Sequence, residues 1–228
     1  MDKEHVRSTI NDVGILPAIR AASAENARFA AETIAQAGIP IVEITTTIPG
    51  AVDVIADLVR NLPQVIVGAG TILDAETARA CLKAGAHFLT SPGLDADIVQ
   101  FARKENVLMM AGALTPTEVV SAYKAGSDFV KVFPCAQVGG DSYIKALKGP
   151  FPQIPLIAAG GVNQQTAGAF ILAGASAVGV GGDLIPRSAI ELRQPERIRE
   201  LARRFLSLVR TARAQLAVWQ APVRASAR

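Results

Sequence analysis

Asp128-Phe129-Val130-Lys131-Val132-Phe133-Pro134 sets a lysine in the middle of an apolar, β-branched and aromatic run, the composition of a buried strand. Side chains alternate across a strand, so Phe129, Lys131 and Phe133 share one face while Val130 and Val132 take the other. An ammonium inside a protein is costly, and lysines are almost never fully buried unless they are paired or used. Loss of solvent favours the uncharged amine, a nucleophile able to form a Schiff base. The stretch therefore has two readings: a structural lysine tied to a carboxylate, or a lysine that does covalent chemistry.

Working outward, the run is the sixth of eight built on one plan. Apolar strands are predicted over residues 15–20, 40–46, 65–68, 88–91, 107–111, 128–134, 156–159 and 177–180. A leading helix is predicted over 1–12, with helices between the strands over 23–37, 51–61, 75–84, 96–104, 116–125 and 142–147. After the seventh strand a helix capped by Asn163 runs to Gly174, and a final helix spans 195–218. Ser23 and Asn163 are N-cap residue types, and the Ala-Gly pairs at 37–38, 84–85, 125–126 and 173–174 mark helix ends. Such alternation predicts parallel strands with right-handed crossovers. Eight units are the number that closes a (β/α)8 TIM barrel, so the chain reads as an α/β barrel domain over 1–218 with a short N-terminal helix and a loose tail over 219–228. An open doubly wound sheet is the competitor, disfavoured because no dinucleotide fingerprint is present.

Half of the 228 residues are hydrophobic and 19% are charged, enough for a sizeable core. The first residues carry both signs of charge with no apolar stretch after them, and no apolar run reaches membrane-spanning length. Cys81 and Cys135 give neither a disulfide framework nor a ligand spacing. These features predict a cytoplasmic protein without membrane attachment. The net charge of +3 hides an asymmetry: residues 187–228 hold ten arginines against three glutamates. Basic segments can bind nucleic acid, but Ile198, Leu201, Phe205, Leu208, Val209, Ala212 and Leu216 fall at helical spacing. The arginines then form a solvated outer face, and no nucleic-acid partner is expected.

In a (β/α)8 barrel the chemistry sits at the carboxyl ends of the strands. On the second strand Glu43 stands among Val42 and Ile44, either as an ion-pair partner for Lys131 or as a proton shuttle. Arg20 ends the first strand, where a guanidinium can clamp a carboxylate. Gly68-Ala69-Gly70-Thr71 ends the third with small residues that permit close approach and a hydroxyl. Pro92-Gly93 and Pro134 shape the mouths of the fourth and sixth. Gly160-Gly161 opens the helix after the seventh strand and Gly181-Gly182 follows the eighth, where this architecture usually binds phosphate. His5 and His87 have no partner at ligand spacing, so neither a metal nor any other cofactor is expected.

Val42-Glu43-Ile44-Thr45, Gly68-Ala69-Gly70-Thr71, Ser91-Pro92-Gly93, Val130-Lys131-Val132-Phe133-Pro134 and Gly160-Gly161-Val162 resemble, in order and spacing, the 2-keto-3-deoxy-6-phosphogluconate (KDPG) aldolase family. The resemblance runs from about residue 10 to 212. It implies a class I aldolase of the Entner–Doudoroff type, usually a homotrimer, that cleaves KDPG to pyruvate and glyceraldehyde 3-phosphate; several members also accept 4-hydroxy-2-oxoglutarate. It also implies that Lys131 is the Schiff-base lysine and Glu43 the general acid/base. Thr71, Pro92 and Phe133 would surround the pyruvate moiety, with Arg20 and Thr71 holding its carboxylate. Gly160-Gly161 would be the phosphate loop. The chain departs from the family pattern at Ala159, often threonine, and at Asp183, often serine. It also has Thr47 where some members carry the arginine that Arg20 matches. The alternatives are an aldolase for the galactonate epimer or an unphosphorylated keto acid, a metal-free phosphosugar isomerase or epimerase using Glu43 as base, and a nucleic-acid-binding protein.

Overall fold

The eight apolar runs form eight parallel strands that close into a barrel in sequence order: β1 (Ile15–Ile19), β2 (Ile41–Thr45), β3 (Ile66–Gly70), β4 (Phe88–Thr90), β5 (Leu108–Ala113), β6 (Phe129–Val132), β7 (Leu156–Ala159) and β8 (Ala177–Val180). This computed structural model describes residues 1–220. Nearly every strand residue is buried, as expected where helices cover the outside and side chains fill the inside. The chain thus has the predicted (β/α)8 fold.

The helices are α1 (Lys3–Val13), α2 (Ala24–Gln36), α3 (Ala51–Asn61), α4 (Ala75–Lys83), α5 (Ala96–Lys104), α6 (Pro116–Ala125), α7 (Asp141–Lys148), α8 (Ala167–Leu172), α9 (Arg187–Glu191) and α10 (Pro195–Gln220). Their ends follow local chemistry. Ser23 accepts from the Asn26 N–H at the start of α2, and Thr115 and Glu118 form a reciprocal capping box on α6. Gly126, at φ 104°, ends α6 in the left-handed conformation that a residue with Cβ rarely adopts.

The helix after β7 differs from its sequence reading. Asn163 does not cap it directly; its Oδ1 accepts from the N–H groups of Gln165 and Thr166, each at 3.0 Å. That local turn delays the start of α8 to Ala167. Gly160-Gly161 therefore lies in the loop after β7 and does not open the helix. The short α9 is an element the pattern did not suggest. Helix α10 runs two residues past its expected end, through Trp219 and Gln220, and the remainder of the expected tail, 221–228, lies outside the described residues.

Helix α10 buries Ile198, Ala202, Phe205, Val209 and Ala212 against α2 and α8. Arg203, Arg204 and Arg210 are exposed, the solvated face its periodicity predicts. At the amino end of the barrel α1 buries Val6 and Ile10. It is held there by Lys3, whose Nζ is 2.9 Å from Asp128 Oδ1, and by Arg7, which donates to the same carboxylate. The second oxygen of Asp128 accepts from the Met109 N–H. No helix among the described residues is long and apolar enough to cross a membrane.

Candidate active site

Strand register sets the polar layer. Glu43 pairs with Ala18 on β1 and Gly68 on β3, and Lys131 pairs with Gly112 on β5 and Ile157 on β7. Glu43 and Lys131 belong to β2 and β6, and Thr90 to β4; side chains from alternate strands form one layer inside such a barrel. Lys131 Nζ lies 3.6 Å from Glu43 Oε2 and 3.3 Å from Thr90 Oγ1. The fourth alternate strand, β8, supplies Gly179, which has no side chain and lines a cavity of about 130 Å3.

That cavity opens at the carboxyl end and is lined by Arg20, Glu43, Lys131, Phe133, Gly160, Gly161, Gly181, Gly182 and Asp183, together with Ala18, Ala159, Val162 and Gly179. Eight of the ten residues singled out from the sequence thus meet around one space. Thr71 and Pro92 stand at the same rim, after β3 and β4, without lining it. Thr71 is held at φ 61°, a conformation unfavourable for a β-branched residue and one that collects at functional sites; its carbonyl accepts from Thr46 Oγ1.

Glu43 is 1% exposed, and its Oε1 has no hydrogen-bond partner among the described residues. A buried carboxylate oxygen without a donor is costly, so this atom is free to meet a water or a substrate proton. The Lys131 ammonium is also 5.9 Å from the centre of the Phe133 ring, within cation–π range. Cys135, just beyond Pro134, is no rival nucleophile: burial, and then the charge of Asp141, push its thiol up to about 11.

Gly160 and Gly181 keep the site's own walls apart. Gly160, at φ 84°, packs where a Cβ would lie 2.8 Å from Pro134 Cα and 3.0 Å from the Phe133 ring. At Gly181 a Cβ would come within 2.6 Å of Arg20 Nη1. On β3 the room left by Gly68 is filled by the Phe88 ring and that left by Gly70 by the Glu43 side chain, where the sequence suggested room for a ligand. Sequence reasoning passed over Thr90 and Gly179. The sole signal for Thr90 was a hydroxyl closing the apolar strand Phe88-Leu89-Thr90.

The arrangement is a lysine facing a buried carboxylate in a pocket of about 130 Å3, with one guanidinium at its mouth. It suits imine chemistry on a small oxo acid. Residues 6–201 match the family model for KDPG and KHG aldolase. The chain is 30% identical to the KHG/KDPG aldolase of Escherichia coli (strain K12) over 88% of its own length and 94% of that protein's. It is 32% identical to the 2-dehydro-3-deoxy-phosphogluconate aldolase of Pseudomonas aeruginosa over 77% of this chain and 80% of the relative. Among solved structures, the KDPG aldolase of Legionella pneumophila, with pyruvate captured at low pH as a covalent carbinolamine intermediate, superposes with a TM-score of 0.79 at 27% identity, covering 86% of this chain and 95% of that one. A barrel with this polar layer and this breadth of likeness leads to one conclusion: the chain belongs to the KDPG and KHG aldolase family and is an aldolase, a lyase.

Proposed function

We propose that the protein is a class I aldolase that cleaves a 2-keto-3-deoxy-6-phospho sugar acid, KDPG, to pyruvate and glyceraldehyde 3-phosphate, and that it also accepts 4-hydroxy-2-oxoglutarate. The Lys131 amine attacks the C2 carbonyl, and loss of water from the carbinolamine leaves a protonated imine. Glu43 removes the proton of the C4 hydroxyl as the C3–C4 bond breaks. The electron pair of that bond moves into the imine to give an enamine, and the aldehyde departs. A proton delivered to C3 and hydrolysis of the imine release pyruvate and free the lysine. Arg20 and Thr71 hold the pyruvate carboxylate, Pro92 and Phe133 flank the pyruvate carbons, and the loops at Gly160-Gly161 and Gly181-Gly182 receive the phosphate. The enzyme works in the cytoplasm as a homotrimer.

The observation that carries this reading is the 3.6 Å approach of Lys131 Nζ to a buried carboxylate whose second oxygen is unsatisfied. The relative captured with pyruvate as a carbinolamine supports the covalent route. Borohydride reduction in the presence of pyruvate tests it: a mass adduct mapping to Lys131 is expected, and no adduct, or one elsewhere, rejects the mechanism. Glu43→Gln should lower kcat by about 100-fold while changing pyruvate affinity little.

A second reading concerns the substrate's far end. Asp183 lines the cavity beside Gly182, on the side assigned to phosphate. A carboxylate there favours the hydroxyls of an unphosphorylated keto acid or a differently oriented epimer such as the galactonate. Cleavage rates on both epimers, with and without phosphate, decide between them.

A further inference from the structure

Gly70 has no backbone reason to be glycine. Its φ is not among the positive values of this chain, so a residue with Cβ fits its conformation. Space is what it provides. Thr45 is its partner in the register with β2, and Glu43, two residues earlier on the same face, leans along the strand over it. A Cβ at Gly70 would lie 2.5 Å from Glu43 Cδ and 2.6 Å from Cγ, and closer still to Oε1. Gly70 thus forms the floor under the carboxylate on the side away from Lys131, and the oxygen resting there is the one without a partner. Gly68, one turn of the pleat earlier, makes room for Phe88 instead.

We propose that Gly70 is a positioning residue for the reaction: its missing side chain is the slot that lets Glu43 extend far enough to face Lys131. This rests on the reading of Glu43 as the group that moves protons. A methyl at position 70 forces the carboxylate to rotate off its line with the lysine, because the strand above and the ring of Phe88 beside it leave the backbone little freedom to yield. A side chain that ends at Cβ, as in Glu43→Ala, has neither the Cγ nor the Cδ that such a methyl meets.

The test is a double-mutant cycle in the full-length protein, with steady-state cleavage of KDPG as the readout. Gly70→Ala is expected to lower kcat by about 10- to 100-fold with KM moved less than about threefold. Glu43→Ala alone, with no carboxylate to face Lys131, is expected to lose about 100-fold or more. The double variant is expected to be no worse than Glu43→Ala, since no carboxylate is left for the methyl to displace. Losses that simply multiply overturn the proposal, and so does wild-type turnover in Gly70→Ala.

Melting temperatures supply a second arm that holds even if Gly70→Ala folds poorly. Gly70→Ala should lower the melting temperature by several degrees when Glu43 is present, and leave it unchanged or higher in a Glu43→Ala background. Equal losses in both backgrounds overturn the proposal. Glu43→Gln at wild-type rate would sink the proton-transfer reading whatever Gly70 does. Absent coupling with Glu43→Gln slow would sink the Gly70 proposal alone.

Discussion

Lys131 on β6 and Glu43 on β2 face each other across the barrel axis, with Nζ 3.6 Å from Oε2. The two residues are far apart in sequence, and the closed ring alone brings them together. A third group, the Thr90 hydroxyl on β4, steadies the ammonium from the side at 3.3 Å.

Removing one member of this pair should be felt in stability as well as in catalysis. Lys131→Met leaves the Glu43 carboxylate buried without its counter-charge, a change that typically costs about 3–5 kcal/mol. The same substitution made together with Glu43→Gln should cost about 1 kcal/mol or less, since no lone charge is left behind. Urea unfolding of the four proteins at neutral pH measures both numbers, and equal losses in the two backgrounds would show that the pair is not coupled.

Asp183 offers a handle on the far end of the substrate. It is exposed at the cavity rim, so its repulsion of a phosphate is screened by water and salt. Asp183→Ser should lower KM for a phosphorylated keto acid by about two- to fivefold at low ionic strength, with the gain shrinking as salt rises. KM for the unphosphorylated compound should stay the same or rise.

Stability should also depend on pH through His87. Burial, chiefly, and then the charge of the chain's amino terminus lower its pKa from 6.5, outweighing a hydrogen bond with Val67. The folded protein therefore takes up this proton less readily than the unfolded chain. Stability is complete above the ordinary value, falls as pH drops through 6.5, and levels off once the folded form is protonated too. Melting curves between pH 8 and 5 should show that loss, and His87→Gln should flatten it.

Thr71 gives a case where stability and function are expected to part. Its left-handed backbone, φ 61°, is disfavoured for a β-branched side chain and acceptable to glycine. Thr71→Gly should raise stability by about 1 kcal/mol while weakening pyruvate binding, measured by thermal unfolding and by trapping at graded pyruvate concentrations. A loss of stability would mean that the threonine side chain more than repays its backbone strain.

Much of the fold was legible because the local signals agree. Helices α3, α5 and α6 span the residues that the sequence assigns them, and Gly126 ends α6 as its Ala-Gly pair predicts. The inward direction of Lys131 and Glu43 also follows from alternation along their strands. The late start of α8 was not legible, because an Asn side chain can cap a helix or close a turn before one, and the choice depends on what packs behind it. The glycines of β3 were misread for a similar reason. Small residues announce space, but only the register between strands tells whether a ligand, Phe88 or Glu43 fills it. The left-handed turn at Thr71 had no signal at all, since threonine is not a residue that ordinarily marks one.

A ring of strands has two ends, and α1 stoppers one of them, with Val6 and Ile10 as the plug and Asp128 as the latch for Lys3 and Arg7. Traffic to the amine is then confined to the opposite doorway, past the loops that follow β1, β7 and β8. Anything that reaches Lys131 must leave by the route it came.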